Sequence, residues 1–459
     1  MLHHFRGTLR RTATIAATLS SVVVMGGCNL FDTDINNPNA VIDTALDDAA
    51  GATTLVNGLG GSLTRTFTSV YGPYTAASDE LTWSGSREFW KLLDDGDIAD
   101  PVNEYTDGAY PQMSQTRWLA NFTLEKMEGF DKANTLRNRK DLARAYIYAA
   151  ITYITIGEMF DDFVIGSNRT EATANVGPAN MGIMFDSAIV YLNKGLVVAQ
   201  ATSDQELQRQ VLGLRARAKF SKAAWAKLRP ARTAPADPYV NDAGATADAQ
   251  AALALMATTY RYRLTPTANN LAGINVGFEM NNRGELRVGT EYGNADPARP
   301  IVLLAGLAGV KLNDPISGAP DPVLARAIDE CCRPAVGNNV PFTVTSWREM
   351  QLIAAEASLA SGNTADFTTR INAVRALDNL PAWAGTPSAQ AILIHERRVN
   401  LFFQGRRLTD LYRFGQKDPR WLSTASTSKK ACFLPISYIE RQANPATGLT
   451  STSRADYCQ

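Results

Sequence analysis

The sequence predicts a mainly α fold, built as tetratricopeptide-like helix-pair repeats with long loops and a small β-hairpin inserted. Two patterns point there. Apolar residues recur at helical spacing in paired segments, and small alanines alternate with large apolar side chains along them. Stacked helix pairs need this composition, because each unit buries its face only against the next. A third observation marks the insertion: from Gly273 to about Asn339 the chain is rich in Gly, Asn and Pro and loses the helical period.

The elements follow in order. Residues 1–27 read as a secretory signal: Arg6, Arg10 and Arg11 form a basic start and Ala13 to Val24 an apolar stretch too short to span a membrane as a helix. Met25-Gly26-Gly27-Cys28 places small residues directly before a cysteine, as in a bacterial lipobox, with Met where Leu is usual. Cys28 is therefore the expected lipidation site, and several acyl chains hold a protein on a membrane where one is marginal. Asn29 in place of Asp directs the expectation to the outer membrane. Residues 28–40, "NLFDTDINNPNA" after the cysteine, suit a polar tether.

A helix around Trp118, Leu119 and Phe122 precedes a face made by Leu142, Ala145, Tyr146, Ala149, Tyr153 and Ile156. A helix from about Gly182 to Ala199 precedes another, through Leu207, Val211, Leu214, Ala218, Trp225 and Leu228. The third pair is "SWREMQLIAAEASLA", a turn at Ser361 to Asn363, and "DFTTRINAVRAL". Trp118, Trp225 and Trp347 are assigned to the core, and Pro230 to Ala247 to a loop. Alternation at Val276, Phe278 and Met280, then "NNRG", then Leu286 and Val288, predicts a hairpin. Thr386 and Pro387 are expected to start a helix that Gly405 stops, with Ile392, Val399, Phe402 and Phe403 inward.

Charge and motifs exclude several functions. The chain has 45 Lys+Arg and 45 Asp+Glu, so no nucleic-acid partner is expected. Beyond the signal the one histidine is His395, which leaves no His triad and no H-E-x-x-H site, and no phosphate-cradling glycine loop is present. No metal and no cofactor are expected. Asp79-Glu80, Asp94-Asp95, Asp97 and Asp161-Asp162 could supply a glycosidase pair, but nothing in the sequence sets two of them across a cleft. "DDGDIADPVNE" misses the EF-hand spacing for calcium. Cys331, Cys332, Cys432 and Cys458 permit two disulfides in an exported chain, and the adjacent pair is expected to reach out to Cys432 and Cys458. A zinc knuckle is disfavoured because the adjacent pair lacks C-x-x-C spacing.

"HERRVNLFFQGRRLTDLYRFG", from His395 to Gly415, resembles the C-terminal signature of the SusD/RagB family. Its E-R-R is Glu396, Arg397 and Arg398, its aromatic run Leu401 to Phe403, its Q-G-x-R the residues Gln404 to Arg407, and its D-L-x-R-x-G the residues Asp410 to Gly415. "WREMQLIAAEASLASGN", with Glu349 and Glu356, and "FLPISYIERQANP" resemble further family segments, as do "YTAASDELTW" and the lipobox with "NNPN". Read physically, Glu396, Arg397, Arg398, Gly405, Arg406, Asp410 and Arg413 are structural, the charges pairing to lock this helix to its neighbours.

The resemblance implies a SusD-like α-α superhelix in one domain over 41–459. Its repeat scaffold lies at about 41–229 and 343–415, an irregular ligand-side insertion at about 263–342, and a C-terminal segment at 416–459. It implies a surface lipoprotein, not an enzyme, that captures oligosaccharide or a similar nutrient and serves a SusC-type TonB-dependent transporter of the outer membrane. The alternatives are an exported glycan hydrolase using paired carboxylates, and a repeat scaffold that binds proteins. Sugars need flat aromatic faces beside groups that fix hydroxyls. "DELTWSGSREFW" offers Asp79, Trp83, Arg87 and Trp90, where the family places part of its ligand arc; Tyr292 and Asn294 are the choices from the insertion.

Overall fold

Capping side chains start the long helices close to where the apolar periodicity begins. Asn103 accepts from the Tyr105 N–H (3.0 Å) at the head of the helix Glu104–Lys132, Asp204 from Leu207 (3.1 Å) at that of Gln205–Leu228, and Ser346 from Glu349 (3.1 Å) at that of Trp347–Ala360. The computed structural model describes residues 46–166, 172–229 and 231–459. The signal, the tether and Cys28 lie outside them. All elements below belong to the unit Ala49–Gln459.

The helices are α1 (Ala52–Ala76), α2 (Glu88–Asp94), α3 (Glu104–Lys132), α4 (Lys140–Met159), α5 (Gly182–Ala201), α6 (Gln205–Leu228) and α7 (Ala243–Leu253). After the insertion come α10 (Trp347–Ala360), α11 (Thr364–Ala376), α12 (Ala389–Asn400), α13 (Arg407–Arg413), α14 (Ser426–Lys429) and α15 (Tyr438–Ala443). Packing runs α1 on α3, then α3 to α7 each on the next, then α7 on α10 and α10 on α11. The face from Leu142 to Ile156 is buried along its length, each large side chain contributing about 1.5–3 kcal/mol. Trp347 is core; Trp118 and Trp225 are only half-buried, Trp118 stacking on Phe122 with centroids 5.3 Å apart. On α5, Ile183, Val190 and Val197, seven residues apart, form an exposed apolar stripe.

Small antiparallel pairs attach the insertion. They are β1 (Leu81–Trp83) with β3 (Leu286–Val288), β2 (Arg261–Leu264) with β6 (Phe342–Ser346), and β4 (Ala295–Asp296) with β5 (Arg299–Leu303). Between β2 and β3 lies α8 (Val276–Phe278), continuing into a π turn at Glu279–Arg283, and α9 spans Pro322–Cys331.

Several expectations change here. Val276 to Met280 is helical, because the Asn275 side chain accepts from the Gly277 N–H (2.9 Å); β3 pairs with the far earlier β1, Leu81 opposite Val288, instead of forming a local hairpin. The expected loop ends sooner, where Asp242 caps Ala245 (2.7 Å) and opens α7. Ser388 caps α12, while Thr386-Pro387 forms a cis peptide before it. α12 ends at Asn400, and Gly405 (φ +74°) turns the chain into α13; a Cβ there would strike the Met159 methyl. The disulfides join Cys331 to Cys332 and Cys432 to Cys458. The tail pair packs beside Asp161 and the vicinal pair at the end of α9 beside Asn281, so each closes within its own neighbourhood.

Candidate functional site

The segment Asp79 to Trp90 is positioned by the insertion. Beyond the β1–β3 pair, the Ser84 N–H donates to the Glu285 carbonyl (2.9 Å). The buried Glu285 carboxylate accepts from the N–H groups of Ser86 and Arg87 (2.9 Å each) and from the Ser86 hydroxyl (3.1 Å). Gly85 is required by this closeness, since a Cβ would meet the carboxylate and come within 2.7 Å of the Glu285 Cα. A turn fixed by three bonds to one carboxylate presents Trp83 and Arg87 in one held geometry. Trp83 is half-buried, Arg87 has 36% of its side chain exposed, and Phe89 is open to solvent beside them in sequence. Arg87 reaches the Tyr105 hydroxyl (3.4 Å) and lies 3.7 Å from Glu104, both on α3.

Three of the other four candidates are buried. Trp90 is 0% exposed and stacks on Tyr105 at 3.6 Å. Asp79 is buried and bidentate to Arg407 (2.7 and 2.6 Å), with Arg398 at 3.4 Å. Tyr292, also buried, donates its hydroxyl to Asp79 (2.7 Å), and the Arg398 guanidinium lies 4.2 Å from its ring centroid. Burial pushes the Asp79 carboxyl up, but Arg407 and Arg398 outweigh it and hold it at about 2. Asn294 braces a loop, exchanging backbone bonds with Gly309 and Leu304 and donating its amide to the Val310 carbonyl (3.3 Å). Trp90, Asp79 and Tyr292 have their polar groups or rings committed within the protein; Asn294 is exposed, and Trp83 and Arg87 are partly so.

The signature residues form the hub beneath this loop. Glu356 takes Arg413 in a bidentate pair and accepts the Val240 N–H (2.8 Å). Asp410 bridges Arg397 (2.8 Å) and Arg413 (2.9 Å), Arg406 donates to Glu349 (2.9 Å), and Glu396 holds Arg375 (2.6 Å). Arg398 and Arg407 tie the hub to Asp79, so the C-terminal signature, the early loop and the insertion meet at one buried node. Sequence reasoning missed this partner of Asp79, because 328 residues separate it from Arg407.

Of the other acidic candidates, Glu80 accepts the Phe403 N–H (2.8 Å) with one oxygen and leaves the other, buried, without a hydrogen-bond partner; the rest are engaged. Asp161 pairs with Arg229 and Arg232, Asp94 with Arg420, Asp97 with Arg454, and Asp95 with Lys91. His395 pairs with Asp321 (2.9 Å), whose other oxygen caps α9. Asp314, nearby, is held by Arg375 (2.8 Å), so the one described cluster that combines carboxylates with a histidine has its atoms committed.

The sequence model of the SusD family matches residues 347–454. No curated protein sequence matches the chain. Solved structures resemble it in fold at low identity. A SusD superfamily protein from Bacteroides fragilis is 12% identical with TM-score 0.55, covering 88% of this chain and 99% of its own. A SusD superfamily protein from Bacteroides thetaiotaomicron is 12% identical with TM-score 0.56, covering 87% and 98%. A protein from Bacteroides vulgatus, described as a candidate sugar-binding protein, is 13% identical with TM-score 0.57, covering 87% and 97%.

Proposed function

We propose that this SusD-like protein is a surface nutrient-binding lipoprotein that captures an oligosaccharide on the Trp83–Arg87 face and passes it to a SusC-type TonB-dependent transporter. The observation that carries the reading is the β1–β3 pair with its Glu285 lock, which fixes an aromatic ring and a guanidinium on one short turn. An indole face takes the C–H surface of a pyranose, and Arg87 donates to its hydroxyls. The sugar-binding description of the Bacteroides vulgatus relative supports a saccharide ligand. Lipidation at Cys28 and a place on the outer membrane rest on the lipobox, and the apolar stripe of α5 supports a protein partner. Pairing of Asp161, Asp94 and Asp97 to arginines, and burial of Glu80, favour binding over hydrolysis.

The test is binding to a panel of plant, algal and microbial oligosaccharides, with Trp83→Ala and Arg87→Ala beside the parent protein. Each substitution is expected to weaken the bound glycan about tenfold, the ratio that 1.4 kcal/mol gives. Unchanged affinity in both variants would place the ligand elsewhere. Release of new reducing ends would support the hydrolase instead. Recovery of a TonB-dependent transporter with the lipidated protein, from mild detergent, tests the partner.

A further inference from the structure

A second cavity, of about 300 Å³, lies where α9, α10 and α12 converge on the β2–β6 pair. That volume is at the lower end of ligand pockets, about 300–1,000 Å³. One wall is a single face of α9, with Val323, Arg326, Ala327, Glu330 and Cys331 at helical spacing. Val399, Phe402 and Phe403 give it apolar surface, and Thr258, Thr259 and Thr343 add hydroxyls. The Glu285 lock and Trp83 are not part of it.

The charges here do not balance. Arg326 (2.6 Å) and Arg348 (2.7 Å) share the single carboxylate of Asp378. Arg261 (2.7 Å) and Arg263 share that of Glu330. Four guanidinium groups thus meet two carboxylates, and burial alone would raise both acids, yet the arginines hold each below its ordinary range, so both stay ionised. Arg261, Arg326 and Arg348 line the cavity with Glu330 alone among the acids, so positive charge predominates in a partly enclosed space, where screening by salt is weaker than on an open surface. Arg348 also donates to the Asn400 amide oxygen (2.6 Å), which fixes its fork. Beside it, Gln404 donates its amide N–H to the Asn400 carbonyl (2.9 Å), while its Oε1 has no hydrogen-bond partner although the residue is only 9% exposed. A buried acceptor left unpaired is costly, and a ligand hydroxyl supplies the missing donor.

We infer that this cavity binds a sugar acid, a single uronic-acid ring whose carboxylate meets Arg326 and Arg348 while its hydroxyls reach Gln404 and the threonines. The apolar wall takes the C–H face of the ring. A neutral sugar leaves the surplus charge unanswered, and a simple carboxylate leaves Gln404 unanswered. The site is separate from the Trp83–Arg87 face and does not depend on that reading.

The experiment is calorimetric titration of the full chain with glucuronate, galacturonate, the matching neutral hexoses, methyl glucuronate ester and acetate. A uronate is expected to bind with a dissociation constant of about 1 mM or tighter, and at least about tenfold more tightly than its hexose, its ester or acetate. Arg326→Gln, at the exposed rim, should lose about tenfold in uronate affinity without loss of fold, and Gln404→Leu a similar factor. Should Arg348→Gln fail to fold, Arg326→Gln still decides. Trp83→Ala should leave uronate binding unchanged. Failure of both uronates to bind, equal binding of the neutral ester, or indifference to Arg326→Gln would each overturn the assignment.

Discussion

Glu80 should make the protein less stable as pH rises, and Glu80→Gln should remove that dependence. The carboxyl is buried; its Oε1 accepts the Phe403 N–H at 2.8 Å and its Oε2 has no hydrogen-bond partner. Burial is the main cause that holds it at about 8, against an ordinary 4.5. The folded value lies above the unfolded one, so between those values the folded state binds more protons. Stability contributed by the neutral acid is complete below about 4.5 and declines until about 8. At 1.36 kcal/mol per pH unit the whole window is worth about 5 kcal/mol, and the step from pH 5.5 to 7.5 about 2.5 kcal/mol. Glutamine keeps a carbonyl for the Phe403 N–H, which matters because Phe403 holds φ +58°, a conformation that costs a bulky residue about 1–2 kcal/mol. The assay is urea unfolding of both proteins at pH 5.5, 6.5 and 7.5. Taking the difference between them at each pH cancels every other titrating group. The advantage of Glu80→Gln should grow by about 2–3 kcal/mol over that range at unchanged m-value. Parallel stability curves would refute the reasoning.

Other perturbations separate frame from face. Trp90→Ala should destabilise by about 3–5 kcal/mol in denaturant unfolding, as removal of a buried indole does, whereas Trp83→Ala should cost less and act mainly on ligand affinity. Asp79→Asn leaves Arg407 and Arg398 buried without their carboxylate and should cost about 3–5 kcal/mol. Because folded Asp79 sits at about 2 and ordinary Asp at 3.8, its contribution is present above 3.8 and lost as pH falls toward 2; the variant should lack that acid limb. Peptide mass mapping without reduction should recover Cys331–Cys332 and Cys432–Cys458 and no bridge between the two pairs. Cys458→Ser opens a loop between residues 26 apart, for which chain entropy gives a loss of about 3.5 kcal/mol in the melting transition.

The repeat helices are legible because a 3.6-residue period and small-residue flanks have one physical solution over runs as long as the 13 residues of Thr364–Ala376 or more. Short segments carry less information. Val276, Phe278 and Met280 alternate as a strand would, yet Val276 and Met280 are also four apart, and the cap at Asn275 decides for the helix. Asp242 ahead of an alanine-rich run was a readable start for α7, obscured by the prolines before it. The disulfide pairing was not readable at all, since connectivity depends on which elements lie side by side.

The candidate site shows the same limit in its chemistry. Asp79 beside aromatic residues has the composition of a sugar site, and composition cannot report that an arginine 328 residues away has already claimed the carboxylate. The arginine pairs of the signature follow from this. Arg406 and Arg407 are adjacent, yet one reaches Glu349 and the other Asp79, so one short helix fastens a repeat helix and the early loop at once. Arg397 and Arg413 do the same for Glu356 and Asp410. Lysine could match these charges but not their geometry, because each guanidinium here serves two partners or grips one at two points. Buried pairs of this kind add little net stability, but loss of one partner is expensive, so the hub fixes position more than it adds free energy. Specific binding needs that kind of support: the ligand face proposed at Trp83 and Arg87 sits on a three-residue strand and a tight turn, next in sequence to Asp79, which the hub anchors through Arg398 and Arg407.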